Sequence, residues 1–102
     1  MLENNLRALA AYDEALRVRN PRDTPVEYAN TIANKANVLR CLVPDPLQAG
    51  LTSSDPLADA LALVREAQAL FERHGDGHKA ALMADTAAEI AAELAQRRQR
   101  AN

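Results

Sequence analysis

Apolar residues recur along this chain at helical rather than strand spacing. Leu2, Leu6, Leu9 and Leu16 lie three, four or seven residues apart, with Tyr12 beside them, and Ala8, Ala11 and Ala15 form a second, thinner stripe. That pattern predicts a first helix over about 2–19. Asn20-Pro21 ends it, because a residue before proline avoids the helical basin. Thr24-Pro25 then has the form of a new start, an N-cap residue followed by proline at the first helical position, and Glu27 stands at capping-box spacing from Thr24. Tyr28, Ile32, Ala36 and Leu39 mark the apolar face of a second helix reaching about residue 42.

Residues 43–56 read VPDPLQAGLTSSDP, and their prolines, glycine and serines predict a linker. Leu47 and Leu51 are expected to tuck onto the core. Asp55-Pro56 opens a third helix, whose stripes Leu57-Leu61-Val64-Phe71 and Ala60-Leu63-Ala67-Leu70 are wide enough to pack against two neighbours. Gly75-Asp76-Gly77 breaks the chain, and a fourth helix follows over about 78–98, with Met83, Ile90 and Leu94 on one side and alanines on the other. The expectation is an all-α fold of four helices in two antiparallel hairpins. Residues 1–102 form a single domain: a first hairpin over 1–42, the linker, and a second hairpin over 57–98.

Composition strengthens this reading. The chain has 22 Ala and 14 Leu against five Val and two Ile, and aromatics are only 3%. Such a chain favours helices over sheets. The net charge is -2 and neither half is a basic surface, so nucleic-acid binding lacks its electrostatic footprint. No apolar run is long enough to span a membrane. Cys41 is the single cysteine, which excludes an internal disulfide and fits a reducing, cytoplasmic setting. Glu3 and Arg7 interrupt any leading apolar stretch, so no signal peptide is expected.

A shift of 52 residues lays Ala15 on Ala67, Glu14 on Glu66, Ala29 on Ala81 and Ala36 on Ala88, with turn 20–25 on turn 72–77. The halves therefore read as two copies of one helical hairpin. Ala8, Tyr12, Ala15 and Leu16, then Pro21, then Tyr28, Ala29, Ala36, Asn37 and Leu39, resemble a pair of tetratricopeptide-repeat units of the bacterial variant type. The match is good over about 8–42 and weaker over 60–94, where Val64 stands for the aromatic and Ala87 for a leucine. Lys35 occupies a position that is usually apolar, and the linker is longer than an inter-repeat turn. The resemblance implies right-handed stacking of the hairpins and a concave groove that binds extended peptides. It also sets the repeats out of phase with the chain ends. Two alternatives follow: a small bundle of four helices, or a module that needs neighbours.

Candidate chemistry is sparse. His74 and His78 stand four apart, but Gly75 and Gly77 break the helix a shared metal would require. Glu89 and Glu93 are paired carboxylates with no obvious partner, Ser53 and Ser54 have no nearby histidine, and Arg97, Arg98 and Arg100 suit a helix C-terminus. No metal, cofactor or catalytic residue is expected, so the chain is read as not an enzyme. Asn30, Asn34 and Asn37 share one face of the second helix, although Asn is a poor helix former. They read equally as an interhelical hydrogen-bond ladder or as a binding face. The resemblance makes Asn37 a contact to extended peptides and extends that to Asn34 and Asn30, while Ala33 stands where a carboxylate clamp needs lysine.

These readings lead to a non-catalytic protein–protein interaction module, with Asn30, Asn34 and Asn37 as its partner-binding residues. The alternatives are a structural, self-associating bundle and a small metal-binding or enzymatic helical protein. A thin alanine-rich core, with apolar stripes left over on the first and last helices, predicts a homodimer. Tyr12 is expected to be buried between the first two helices.

Overall fold

Both proline-led starts are helix N-termini. A computed structural model describes residues 2–41 and 55–101, and all their regular structure is helical: α1 (Leu2–Leu16), α2 (Pro25–Cys41), α3 (Pro56–Arg73) and α4 (Gly77–Ala101). Each helix packs against the next in the chain, α1 on α2, α2 on α3 and α3 on α4. Linker residues 43–54, with Leu47, Leu51, Ser53 and Ser54, lie outside the described residues.

Local chemistry sets the ends. α1 stops at Leu16, three residues short of expectation. The Arg17 and Val18 amides turn to the Glu14 and Ala15 carbonyls at 3.1 and 3.2 Å, a tighter turn than the α-helix. Asn20 then organises the connection, its Oδ1 accepting from the amides of Arg22 and Asp23 at 2.9 and 2.7 Å. The expected capping box is not formed. The Thr24 hydroxyl instead accepts from the Asn20 amide at 2.9 Å and donates to the Asn20 carbonyl at 3.2 Å. At α3 the cap is as read: Asp55 accepts from the Leu57 amide at 2.9 Å, with Pro56 in the first turn.

The α3–α4 turn is a Schellman motif. The Asp76 amide reaches back to the Phe71 carbonyl at 2.8 Å and the Gly75 amide to Glu72 at 3.3 Å, with Gly75 at φ 82°. Asp76 then caps α4 by accepting from the Lys79 amide at 3.0 Å. One short turn thus ends a helix and starts the next.

The core lies among α2, α3 and α4. One cluster joins Ala29, Ile32 and Ala33 to Ala67, Leu70, Phe71 and Ala80. The other joins Ala36 to Leu57, Ala60, Val64, Ala87 and Ile90. Alanines without exposed surface (Ala29, Ala36, Ala60, Ala67) let the helix backbones approach closely. Buried Ala29 and Ala36 and the core-packed Ile32 correspond to Ala80, Ala87 and Met83, a register of 51 rather than 52. The 52-residue register would place Ala29 and Ala36 on Ala81 and Ala88, which are exposed.

α1 differs from the rest: none of its described side chains is buried. Leu16 packs on the first cluster, Tyr12 and Leu9 are half-buried, and Leu6 is 54% exposed. Tyr12 is therefore not the buried anchor expected of it, because α1 has a helix on one side only. Polar links supplement the packing. Arg19, just beyond α1, donates at 2.8 Å to the buried Thr31 hydroxyl, which donates in turn to the Glu27 carbonyl at 2.8 Å. Lys35 meets Asp13 at 2.7 Å. A lysine in a usually apolar position is thus half-buried and paired.

Candidate functional site

α2 has α3 and α4 against its alanine face and α1 against its Thr31–Lys35 side. Its remaining face is open. By helical spacing Asn30, Asn34, Asn37 and Cys41 fall on that face. Asn34, Asn37 and Cys41 are exposed and Asn30 is half-buried. The ladder reading reduces to one bond, from Lys79 Nζ to Asn30 Oδ1 at 3.2 Å. Lys79 also lies 5.5 Å from the Phe71 ring centroid and 4.0 Å from an Asp76 oxygen, so three contacts hold its ammonium in place.

The far end of this face carries a second bridge to α4. Arg40 meets Glu93 through Nη2 at 2.7 Å and Nε at 3.3 Å, and Glu89 through Nη1 at 3.1 Å. Asn30 pairs with a residue 49 positions on and Arg40 does the same at Glu89, so α2 and α4 run parallel. The hydrogen bond to Glu93 raises the Arg40 pKa above its ordinary value, against the opposing effect of burial. Glu89 and Glu93 are therefore not an isolated carboxylate pair poised for acid–base work but the anionic half of an ion-pair cluster. Sequence spacing missed Arg40, because its partners lie on a helix 49 residues away.

On the opposite side of α2 a cleft of about 500 Å³ opens between α1 and α3, lined by Leu9, Asp13, Lys35, Leu39, Asp59, Ala62, Leu63 and Glu66. Its floor is apolar and its rim charged. Lys35 is paired with Asp13, so Asp59 and Glu66 leave a net negative rim. Glu66 accepts from the Tyr28 hydroxyl at 3.0 Å. Burial first, and then this bond and the nearby charge, raise the Tyr28 pKa above 10.0. The sequence offered one signal for this cleft, the seven-residue spacing of Asp59 and Glu66 on one face of α3.

The other candidates are placed as follows. His74 and His78 are exposed on either side of the α3–α4 turn. Among the described residues no group of three or more His, Cys, Asp or Glu could hold a metal ion. Cys41 is exposed at the end of α2. Arg97 lies 3.6 Å from Asp55, joining the end of α4 to the start of α3. Among the described residues no helix is long and apolar enough to cross a membrane.

What this arrangement offers is a pair of exposed amides, Asn34 and Asn37, each able to donate and accept, beside the Lys79-bound Asn30 on a helix framed by charged bridges. Compared with protein-family models, curated proteins and solved structures, the chain finds no match.

Proposed function

We propose that this chain is a non-catalytic protein–protein interaction module of tetratricopeptide-repeat type, with right-handed stacking of its hairpins. Its α2–α4 face binds an extended segment of a partner protein, with Asn30, Asn34 and Asn37 as the contacts. The setting proposed with it is cytoplasmic, on the strength of a single unpaired cysteine. The supporting observation is that Asn34 and Asn37 stand exposed in the interior of a helix. Asn there costs helical stability relative to Ala, and an amide aimed at solvent returns none of that cost unless something binds it. An extended backbone offers the matching donors and acceptors.

A library of displayed peptides tests this. Binders selected on the native protein should lose at least tenfold in affinity to Asn34→Ala/Asn37→Ala, while the variant melts no lower than the parent. Selected peptides that bind the variant undiminished remove the asparagine row from the site.

A second reading, a self-associating structural bundle, is favoured by one observation. Leu6 on α1 and Leu82 on α4 are 54% and 49% exposed, and α1 buries none of its described side chains. Sedimentation equilibrium at micromolar concentration separates the two. A homodimer that Leu6→Glu dissociates supports assembly, whereas a monomer that tolerates Leu6→Glu leaves the peptide-binding reading alone.

A further inference from the structure

We infer that the cleft between α1 and α3 is a second docking site, and that its occupant is a basic amphipathic helix of a partner protein. Three observations lead there. The cleft's volume, about 500 Å³, falls in the range of ligand pockets, and it is floored by Leu9, Leu39 and Leu63 with the exposed Ala62 at its edge. A floor of this kind takes apolar side chains. Its bounding elements are three helices, and a further helix laid along such a trough packs at ordinary interhelical distance, its i, i+3 or i+4, and i+7 side chains pointing down. The rim then sets the charge of the guest.

Asp59 and Glu66 stand on the α3 wall seven residues apart. Two helical turns separate them, about 10.5 Å along the axis. A guest helix with Lys or Arg at i and i+7 meets both carboxylates at once. Asp59 has no ion-pair partner among the described residues, and Glu66 holds only the Tyr28 hydroxyl. Among the described residues that line the cleft the one cation, Lys35, is already bound by Asp13 at 2.7 Å, so it does not neutralise the α3 wall.

Charge also argues against a second copy of this chain as the guest. The exposed leucine of α4, Leu82, has Asp85 three residues on, and the Glu89 that follows is already held by Arg40. Asp85 on that face would meet the acidic α3 wall. This site is separate from the asparagine row, which lies on the other side of α2, and it does not depend on the function proposed for that row.

The probe is a synthetic helical peptide of about 14 residues, some 21 Å long, with Leu on one face and Lys at i and i+7 on its flank. Binding is read by fluorescence anisotropy at physiological salt. Asp59→Asn/Glu66→Gln neutralises the rim at constant shape, and Ala62→Arg obstructs the cleft from an exposed position. Glu72→Gln/Asp85→Asn removes the same charge elsewhere. The rim variant should weaken binding about tenfold, the loss of two exposed charge pairs, and Ala62→Arg should abolish it. The distant double variant should bind within about twofold of the parent, and the same peptide with Glu in place of Lys should not bind.

Equal weakening by the rim and distant variants would mean general attraction to an acidic protein and would overturn the assignment. So would an absence of binding, or loss of binding in Asn34→Ala/Asn37→Ala, which would place the peptide on the opposite face. A wild-type dimer that Ala62→Arg dissociates would make a second copy the occupant and would equally refute it.

Discussion

Phe71 is the largest fully buried side chain of the described residues, 1% exposed, and it shares a cluster with residues of α2, α3 and α4. Phe71→Ala removes the ring where three helices meet. Large-to-small changes of this kind cost about 3–5 kcal/mol, and the cost rises with the cavity that survives. Here the cluster includes Ala29, Ala33, Ala67 and Ala80. Alanine has no side-chain torsion that could swing into the void, so refilling falls to Ile32, Leu70 and the flexible Met83, and the loss is about 3–5 kcal/mol. A chain of this size has roughly 5–15 kcal/mol in total. With a urea slope of about 1–2 kcal/mol per molar, the midpoint should fall by roughly 1.5–5 M. The chain has no tryptophan, so far-UV circular dichroism is the readout. Phe71→Leu divides the effect: it keeps most of the volume but loses the Lys79 contact at 5.5 Å, and should cost only about 1–1.5 kcal/mol. A midpoint for Phe71→Ala within about 0.5 M of the parent would refute the reasoning, because no close-packed core loses a phenyl ring so cheaply.

Gly75→Ala should cost about 1–2 kcal/mol in the same urea experiment from backbone conformation alone, since φ is 82° and nothing lies within 4 Å of the added methyl. Asp55→Ala should lose about 1 kcal/mol by removing the α3 cap, while Asp55→Asn, which still caps, should lose less. Arg40→Met should cost no more than about 1 kcal/mol, because the paired side chains are half-exposed, and the difference from the parent should shrink with added salt. Tyr28 is held above 10.0 by burial and by Glu66, so the folded protein keeps a proton that the unfolded chain releases. That contribution is whole below pH 10.0 and is lost as pH rises through the folded value; in a Tyr12→Phe background the absorbance midpoint of Tyr28 should lie above 10.0 and move down with Glu66→Gln.

Periodicity and punctuation made the helices legible. Pro25 and Pro56 begin their helices where the sequence placed them, because proline fixes φ and lacks the amide that a first turn leaves unbonded anyway. The Ala and Leu stripes of α3 identified its buried face for the same reason: a helix covered on two sides needs a wide apolar arc. Three things were not legible. Thr24 satisfied every spacing for a capping box, but the competing bonds to Asn20 sit in a turn that no periodicity describes. Tyr12 carried the right residue type, but burial depends on having neighbours on both sides, and α1 has one. The Arg40 bridge and the acid-rimmed cleft both join residues from different helices, so only the packing register, one residue off the sequence repeat, brings them together.

The attachment of α1 has a consequence for how the molecule opens. A helix that rests on one partner, with Leu16 on the core, Leu9 and Tyr12 only half-buried, and the Asp13–Lys35 ion pair, opens at a lower free energy than the three helices that share the core. Amide hydrogen exchange should therefore be graded. α1 should exchange by a sub-global opening that leaves α2–α4 intact, and the Asp13–Lys35 share of that opening should be salt-sensitive. α3 should exchange only through global unfolding. Since α1 is one wall of the cleft, any guest seated there binds the closed form alone, and its affinity is coupled to the ordering of a helix that the rest of the protein can do without. Slower exchange confined to α1 would then be the earliest sign of occupancy, visible before any change in melting temperature.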